Sequence, residues 1–596
     1  MKAPDIDALY ARALISATDW AFAHAVQRLG PCRDPWVGLA AALVSRAADA
    51  GHVCLDLEIL QDQGLKGDGG EDLGITPPAA EQWQRRLKAC PAVGPPGDYR
   101  PMILDGRRLY LHRYHTYECH LAREILGRCA SGPSGLDPSR LASALADLFP
   151  EGAEEQQKAA HLAAVSRFSV ISGGPGTGKT YTVAKIILLL QQLAQGRPLK
   201  ILLAAPTGKA AARMQESLTA LLKKAQPARA DVAAPPEAQT LHRLLEYSPG
   251  EGRFRADAEH PLIADAVIVD EASMIDLALM HQLVQAVPPE SRLVLVGDKD
   301  QLASVEAGAV LGDICHGPSS REALGVPTQA LVGQDIKPLS RHIAILTRSY
   351  RFDAHSGIGA LSRAINVGDA DQVLSLLADE RLPAVVLRPI GDWARIDAAL
   401  EAEIARSWQT LFRNTEPAAA FDCLARFKIL AAVRKGPFGA EALNARVERL
   451  LRRQNLIPPH LPRGGWYPGR PVMITRNDYN HGLFNGDVGI AMEGPGQTQV
   501  VFPGPGGGFR SMAAHQLPEH ETVYAMTIHK SQGSEFERIM VVLPNSDLPL
   551  LTRELIYTAI TRARGAIEIW ADPELLARAV RRPLRRASGL RDMLWA

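Results

Sequence analysis

The sequence lacks the features that mark several large classes of protein. Its seven cysteines form no Cys-x-x-Cys pair, which argues against a disulfide scaffold and fits a reducing compartment. The apolar run Ile186–Leu190 is far shorter than the roughly 20 residues that a membrane-spanning helix needs. Asp5 and Asp7 stand where a signal peptide has a basic and then an apolar stretch. We therefore expect a soluble, cytoplasmic protein with no membrane partner.

A net charge is nearly absent as well. The chain has 66 Lys and Arg against 65 Asp and Glu, so any contact to DNA must come from local placement of polar and basic groups. One local cluster stands out, and it predicts either a solvated basic helix or a contact to a polyanion. Its members are Arg578, Arg581, Arg582, Arg585, Arg586 and Arg591.

A metal centre is not indicated either. The group His112, His115, Cys119 and His120 is the most suggestive one, but its spacing matches no standard zinc pattern. We expect these side chains on one face of a structural helix, without a metal.

A complete phosphate-binding loop is present. It follows the strand-like run Phe168–Ile171 and opens into the helix-like run Tyr181–Leu193, which is the context that this motif requires. Backbone N–H groups in such a loop and the helix N-terminus attract the phosphates of a nucleoside triphosphate. Lys179 would reach the β- and γ-phosphates, and the Thr180 hydroxyl would hold Mg²⁺. The loop consists of Gly173, Gly174, Pro175, Gly176, Thr177, Gly178, Lys179 and Thr180.

The length of 596 residues predicts three or four domains. We predict a mainly helical N-terminal docking domain at 1–128 with one hairpin, a linker at 129–149, and two α/β domains at 150–345 and 346–596. The second α/β domain carries a small, β-barrel-like insertion at about 465–517, because that stretch is rich in strand and turn signals. Strands that alternate with helices predict parallel sheets. The strand candidates are Phe168–Ile171, Ile201–Ala205, Ala266–Val269, Arg292–Val296, Lys428–Val433, Thr522–Thr527, Ile539–Leu543 and Ala566–Trp570.

Polar side chains follow two of these strands. Asp270 could complete the shell of a Mg²⁺ ion, and Glu271 could orient or deprotonate a water molecule. Gln301 follows the next strand, and its amide could donate to the γ-phosphate. Arg351 and Arg562 are candidates for the arginines that neutralise charge on the γ-phosphate, since a planar guanidinium binds phosphate oxygens in pairs.

The order of these blocks resembles that of superfamily 1 helicases. Ala205–Ala211, Thr240–Leu245 and the Asp270 and Gln301 blocks resemble the first motor domain of that superfamily, and Thr527–Phe536 with the Arg562 block resembles the second. The longer strings Gly297–Asp313, Gly436–Gly439, Gly469–Met473 and Leu483–Asp487 are similar to the RecD family, named for the α subunit of the RecBCD enzyme, exodeoxyribonuclease V. The resemblance covers about 150–596 strongly and the N-terminal region more loosely.

The resemblance implies two RecA-like motor domains with ATP in the cleft between them. Gln156 would recognise adenine, while Gly533 and Glu535 would approach the nucleotide from the second domain. Single-stranded DNA would pass along polar side chains that contact its phosphates. These are Thr207, His242, Thr527 and His529.

The function implied is that of an ATP-dependent 5′-to-3′ DNA helicase subunit. It would work with RecB-like and RecC-like subunits on single- and double-stranded DNA at double-strand breaks. A free-standing RecD-like helicase or a helicase domain of a conjugative protein is the alternative within this class. A structural subunit with an inactive ATP site is the alternative from another class. No second carboxylate cluster with a nearby lysine suggests a nuclease site, so nuclease activity is expected in a partner.

Overall fold

The computed structural model describes most of the chain. The described residues are 5–29, 32, 34–61, 65, 75–133, 135–194, 198–225, 236–317, 338–351, 356–413, 416–462, 464–478, 480–494, 497–504 and 508–596. Within these ranges no helix is long and apolar enough to cross a bilayer.

The N-terminal region combines helices with a small sheet. The elements are α1 (Ile6–Ala11), α2 (Ala17–Leu29), α3 (Pro35–Asp49), β1 (Cys54–Asp56), α4 (Leu57–Leu60), α5 (Ala80–Lys88), β2 (Val93–Gly94), β3 (Met102–Asp105) and β4 (Arg108–Leu111), with the sheet in the order β1-β4-β3-β2. The predicted hairpin is confirmed: β3 and β4 pair antiparallel around Gly106, whose φ of 55° suits glycine. Trp36 and Trp83 are buried in the core of this region, where Trp83 Nε1 donates to the Trp36 carbonyl (3.0 Å).

Three helices connect this region to the first parallel sheet: α6 (His112–Cys129), α7 (Pro138–Leu148) and α8 (Glu154–Val165). The predicted helix with His112 and Cys119 is confirmed as α6, in which His115 contacts Asp105 (3.4 Å). Leu141, Leu145 and Leu148 recur on one face and make α7 a packed helix inside the stretch predicted as a linker. The domain boundaries at 128 and 149 remain predictions.

The first parallel sheet carries the phosphate loop. Its region contains β5 (Phe168–Gly173), α9 (Lys179–Leu193), β6 (Ile201–Ala205), α10 (Gly208–Ala225), β7 (Ala238–Thr240), α11 (Leu241–Leu244), β8 (Tyr247–Ser248), β9 (Arg253–Phe254), β10 (Ala266–Val269), α12 (Leu277–Ala286), β11 (Arg292–Gly297), α13 (Val310–Ile314) and β12 (Ile343–Leu346). The strand order is β12-β5-β11-β10-β6-β7, and all pairs are parallel. The four predicted strands are present because their side chains are apolar on both faces and helices cover both sides.

A second parallel sheet and an antiparallel one follow. The elements are α14 (Gly357–Val367), α15 (Ala370–Ala378), β13 (Val385–Arg388), α16 (Trp393–Glu403), α17 (Pro417–Arg426), β14 (Phe427–Ala431), α18 (Ala440–Arg453), β15 (Pro471–Ile474), β16 (Val488–Glu493), β17 (Thr498–Pro503), β18 (Phe509–Ala513), β19 (His520–Thr522), β20 (Ala525–Thr527), β21 (Phe536–Val542), α19 (Arg553–Ile560), β22 (Ala563–Trp570), α20 (Pro573–Arg581) and α21 (Leu590–Trp595). Short 3-10 turns span Ala272–Met274, Pro338–His342, Ala514–Gln516 and His529–Ser531, and a π-helical turn spans Ile404–Trp408.

The second parallel sheet has the order β13-β22-β21-β14-β20. One predicted strand, 522–527, is in fact two. Thr522 pairs with β15 of the antiparallel sheet, whereas Ala525 pairs with β14 of the parallel sheet. Val523 and Tyr524 between them are fully buried, so the apolar run continues across the change of sheet and conceals it in the sequence.

The predicted β-rich insertion is an antiparallel sheet in the order β18-β17-β16-β15-β19. Its fifth strand lies beyond the predicted limit of 517. Val472, Val500 and Phe502 belong to its own small apolar core. The insertion touches the first motor region, since the Phe484 ring packs at Gly208.

Several arginines of the basic cluster at 578–591 form ion pairs or hydrogen bonds within the chain. Arg578 and Arg582 pair with Asp547 (3.5 and 2.8 Å), and Arg581 pairs with Asp371 (2.8 Å). Arg586 donates to the carbonyls of three residues between α13 and Gln301. Four of the six arginines are exposed, namely Arg578, Arg581, Arg585 and Arg591, whereas Arg582 and Arg586 are partly buried.

Residues 584–596, here called the strap, run from the second parallel sheet back to the N-terminal region. Arg586 Nη2 donates to Ser304 O (2.6 Å), and a Cβ on Gly51 would lie 2.8 Å from the same guanidinium. Glu118 of α6 accepts from the Ser588 hydroxyl (2.7 Å). The strap therefore ties the N-terminal region to the first parallel sheet.

Candidate ATP site between two parallel sheets

The phosphate loop joins β5 to α9. Gly176 and Gly178 have φ values of 77° and 85°, which only glycine adopts without strain. A Cβ on Gly173 would lie 2.6 Å from Thr177 Oγ1, so the loop also needs glycine for close approach. Lys179 Nζ donates to the carbonyls of Gly173 (2.7 Å) and Gly174 (3.1 Å). The loop is thus pre-shaped, with its ammonium group facing inward.

Two carboxylates lie opposite the loop at the end of β10. Glu271 has a φ of 51°, and its N–H donates to Asp270 Oδ1 (2.8 Å). Burial raises the pKa of Asp270 to about 6, the neighbouring Glu271 adds to the rise, and Lys179 opposes it. A buried carboxylate with a raised pKa is the kind of group that a bound cation would stabilise.

Gln301 lies on the loop that follows β11 and is buried. Its Nε2 donates to Asp298 Oδ2 (3.0 Å), and this same oxygen accepts from the Tyr557 hydroxyl of α19 (3.1 Å). Burial raises the pKa of Asp298, while the charge of Lys179 lowers it. Gln301 is therefore linked through one carboxyl to a helix of the second sheet.

The next residue strengthens this link. The Leu302 N–H donates to Thr558 Oγ1 (2.9 Å), and its carbonyl accepts from Gln532 Nε2 (3.1 Å). Both partners belong to the second sheet region. The main chain of the Gln301 loop is consequently held by hydrogen bonds to two side chains across the cleft.

Arg562 lies two residues after the end of α19 and is buried. It donates to Thr558 O (3.1 Å), Ser534 O (3.3 Å) and Thr561 Oγ1 (3.2 Å). Burial lowers its pKa, and the charges of Glu271 and Glu535 raise it. These bonds fix the guanidinium at the face of the second sheet that meets the phosphate loop.

Glu535 gathers three guanidinium groups. Its Oε1 pairs with Arg213 (2.6 Å) and Arg351 (2.7 Å), and its Oε2 with Arg564 (2.9 Å). Burial would raise the pKa of Glu535, but Arg213 and Arg351 outweigh it and bring the pKa to about 2. Glu535 is therefore ionised at every physiological pH.

These groups surround one cavity of about 370 Å³. Among the predicted residues, the cavity is lined by Pro175, Gly176, Gly178, Lys179, Thr180, Asp270, Glu271, Gln301, Arg351, Gly533, Glu535 and Arg562. Gly173, Gly174 and Thr177 lie in the same loop behind it. The structure thus brings together groups from both sheets, among them Lys179 and Arg562, which are 383 positions apart in the chain.

Gln156 lies beside the loop on α8 and is buried. Its Nε2 donates to Thr177 O (3.1 Å), and its Oε1 accepts from the Tyr350 hydroxyl (3.4 Å). Tyr350 also donates its N–H to Gly176 O (2.8 Å) and lines the cavity.

Tyr350 and Arg213 are site residues that were not predicted from the sequence. The adjacent Arg351 could have pointed to Tyr350, whereas Arg213 carries no motif signal of its own.

The four residues predicted to contact DNA lie away from the ATP cavity. Thr207 lies between β6 and α10, and its Oγ1 accepts from the Ala210 N–H (3.2 Å). His242 packs against the rings of Tyr247 and Phe254, and burial lowers its pKa. Burial likewise lowers the pKa of His529.

Thr527 is placed differently from the other three. It lines a separate cavity of about 720 Å³ together with Arg434, Arg449, Arg452 and Lys530. Of the four predicted residues, Thr527 alone appears among the described residues that line this cavity. Neither the ATP cavity nor this second cavity is lined by all four residues, and their contact to DNA stays a prediction.

Within the described part of the chain, no group of three or more His, Cys, Asp or Glu side chains is arranged to hold a metal by itself. Oxygen ligands for a cation are present at the ATP cavity, where Thr180 and Asp270 both line the wall.

Fold and site together define a P-loop NTPase of the helicase type, with two RecA-like sheets facing one nucleotide cavity. The chain is 38% identical over 610 aligned residues to the RecBCD enzyme subunit RecD of Mycobacterium tuberculosis, an alignment that covers 100% of this chain and 99% of that protein. It belongs to the RecD family. The resemblance drawn from the sequence is confirmed, and with it the expected class of ATP-dependent helicase.

Other comparisons cover parts of the chain. The family "RecBCD enzyme subunit RecD, N-terminal domain" matches residues 11–110, an AAA domain matches 156–307, and a UvrD-like helicase C-terminal domain matches 522–567. The ATP-dependent RecD2 DNA helicase of Deinococcus radiodurans is 33% identical, over 69% of this chain and 48% of that protein. A crystal structure of Pif1 helicase from Bacteroides is 19% identical with a TM-score of 0.37, over 70% of this chain and 92% of that one.

Proposed function

We propose that the chain is the 5′-to-3′ DNA helicase subunit of a RecBCD-like complex, driven by ATP, which unwinds and processes double-strand breaks for recombinational repair. One observation carries this proposal: Lys179 and Asp270 of the first sheet share a cavity with Arg562 of the second. A nucleotide bound there contacts two domains at once, so its hydrolysis changes the contact between them. That is the property a translocating motor needs.

The first sheet would hold the triphosphate. Loop N–H groups and Lys179 bind the phosphates once Nζ leaves the carbonyls of Gly173 and Gly174. The Thr180 hydroxyl and the Asp270 carboxylate fit Mg²⁺, because both are oxygen ligands and Asp270 is a buried group that a cation would stabilise. Bound there, Mg²⁺ supplies charge neutralisation on the phosphates. Gln156 and Tyr350 lie beside the loop, where they can receive the adenine.

Hydrolysis is assigned to groups from both sheets. Glu271 orients the attacking water and accepts its proton as the water oxygen bonds to the γ-phosphorus and the bond to the β,γ-bridging oxygen breaks. Arg351 and Arg562 stabilise the charge that develops on the γ-oxygens. Gln301 can donate to the γ-phosphate, and it is hydrogen-bonded to α19 through Asp298. A shift of Gln301 on binding or loss of that phosphate would therefore change a contact to the second sheet.

The DNA path is proposed on residues outside the ATP cavity. Thr207 follows β6 of the first parallel sheet, and Thr527 ends β20 of the second. Thr527 also lines the cavity that contains Arg434, Arg449 and Lys530. Basic side chains beside a hydroxyl suit the phosphates of single-stranded DNA. His242 and His529 complete the predicted set.

RecB-like and RecC-like partners are proposed for the working complex. The full-length match to a RecBCD enzyme subunit supports this, because it includes the N-terminal region as well as both motor regions. The second candidate is a free-standing helicase, which the 33% match to the RecD2 helicase favours. That match covers only 48% of the RecD2 protein, so the subunit is the first choice. Nuclease activity would then belong to a partner.

Strand-displacement measurements test the motor. The purified chain should unwind duplexes that carry a 5′ single-stranded tail and leave those with only a 3′ tail intact. Lys179→Ala should abolish unwinding and ATP hydrolysis, because no other ammonium group lies in the loop. Lys185→Ala, on the same helix but outside the cavity, is the matched control and should remain active. Unwinding from 3′ tails alone would overturn the proposed polarity.

Affinity purification from the native host tests the complex. Recovery of RecB-like and RecC-like chains in equal amounts with this protein supports the subunit. Recovery of the chain alone, with full helicase activity, supports the free-standing helicase.

A further inference from the structure

Arg213 lines the ATP cavity but has no part in the chemistry described so far. It lies on α10, the helix that begins directly after Thr207. Its guanidinium therefore comes from the first sheet region, on the same side of the cleft as Lys179. In the structure it reaches across and contacts the second sheet region at Glu535 and at Gly533 O (3.3 Å).

The contacts at Glu535 divide by oxygen atom. Oε1 receives Arg213 and Arg351, the two arginines that line the cavity. Oε2 receives Arg564, whose side chain is 56% exposed and lies outside the cavity lining. One carboxylate oxygen thus holds two guanidinium groups that could instead bind an anion in the cavity.

Charge favours such an exchange. Three guanidinium groups against one carboxylate leave a net charge of +2 at this cluster (3 − 1). Guanidinium groups bind phosphate oxygens in pairs, and a γ-phosphate offers three oxygens where Glu535 Oε1 offers one. The charge of Arg213 also lowers the pKa of Asp270 and that of Arg562, so it acts on two groups of the proposed catalytic set.

We propose that Arg213 is a third arginine for the terminal phosphate, held by Glu535 until a nucleoside triphosphate takes its place. This inference rests on the proposed function, because it assigns a further residue to the same ATP site. Glu535 acts here as a stand-in anion that keeps Arg213 and Arg351 together before the γ-phosphate arrives. ADP, which lacks that phosphate, leaves Arg213 on Glu535.

Binding of two nucleotides to the full-length chain tests this. Affinities for AMPPNP and for ADP are measured by titration calorimetry with MgCl₂ present, for wild type, Arg213→Gln, Arg213→Lys and Arg564→Gln. Arg213→Gln should lower the affinity for AMPPNP by about tenfold or more, because a charge-assisted hydrogen bond to the γ-phosphate is lost. The affinity for ADP should change little. Arg213→Lys should recover part of the loss. Arg564→Gln removes another partner of Glu535 and should leave the ratio of the two affinities unchanged.

The outcomes separate the two levels of inference. Equal weakening of AMPPNP and ADP in Arg213→Gln, or no weakening of either, shows a purely structural arginine and overturns the proposal. A wild-type chain that binds neither nucleotide overturns the proposed function itself. Glu535→Gln supplies an independent check: its ratio of AMPPNP to ADP affinity should rise, because the competing anion is gone, and a fall in that ratio also contradicts the proposal.

Discussion

The contact between the Gln301 loop and α19 gives a sharp prediction for Thr558→Val. Thr558 is fully buried, and its hydroxyl oxygen accepts the Leu302 N–H across the cleft at 2.9 Å. Valine has nearly the same shape, so the substitution removes the acceptor without opening a cavity. The N–H of Leu302 is then buried without that acceptor whenever the two sheets are in the arrangement described.

A buried donor that loses its acceptor costs about 1–3 kcal/mol. Since the bond forms only when the sheets meet, the cost falls on the aligned state of Gln301 and Arg562, not on either sheet alone. At about 1.4 kcal/mol per factor of ten, the aligned state should become about five- to a hundredfold less populated. The rate constant for ATP hydrolysis stimulated by single-stranded DNA should fall within that range. The KM for ATP should change little, because the phosphate loop lies entirely in the first sheet.

Steady-state ATP hydrolysis with saturating single-stranded DNA measures this effect. Thr410→Val is the control, because the Thr410 hydroxyl contacts Cys423, also in the second sheet region, and Thr410 does not line the ATP cavity. Thermal melting should show that both variants are folded. If Thr558→Val hydrolyses ATP at the wild-type rate, or loses no more than Thr410→Val does, the hydrogen bond does not couple the two sheets.

Two further predictions concern pH. Burial raises the pKa of the Asp270 carboxyl to about 6, and this group must be ionised to hold a cation. The Mg²⁺-dependent part of nucleotide affinity should therefore fall about tenfold per pH unit below 6. Nucleotide titrations from pH 5 to 8 should show this slope for the wild-type chain and not for Asp270→Asn. Burial raises the pKa of Glu118 to about 7, above its unfolded value of 4.5, so this group favours the folded state below pH 4.5 and its contribution is lost as the pH rises to 7. That contribution is of the order of 3 kcal/mol. The melting temperature of the wild-type chain should therefore decline between pH 5 and 7, and it should decline less steeply in Glu118→Gln. Identical slopes for the two proteins would contradict this prediction.

Much of the fold could be predicted because its signals are local. Strands such as β10 and β11 are apolar on both faces, and the phosphate loop has a fixed spacing that glycine conformation requires. In the second sheet region, Gly533 and Glu535 were predicted only through the resemblance, which also singled out Arg562 from the other arginines of the chain. Nothing in the chemistry of one arginine reveals which cavity it will line.

The parts that escaped prediction depend on long-range contacts. In the sequence Arg213 is one arginine among others on an amphipathic helix. Its place in the site depends on its ion pair with Glu535, which lies 322 positions further along the chain. The sequence does not show the change of sheet between Thr522 and Ala525, because the two residues between them, Val523 and Tyr524, are apolar. The helix α7 was missed because the Gly- and Pro-rich residues before it dominate that stretch.

The strap has a consequence for how the protein is made. The His52 ring accepts the Ala587 N–H from 535 positions along the chain, and the Ala587 carbonyl accepts the Val53 N–H. Domains fold in the order in which they leave the ribosome, so the N-terminal region forms long before these partners exist. Its edge beside β1 stays uncovered until the strap is synthesised. Synthesis that stops before Arg586 would therefore leave a motor with both sheets but without the strap, and the N-terminal region would keep only its direct contacts, such as the Gly308 N–H to Gly51 O bond (3.0 Å).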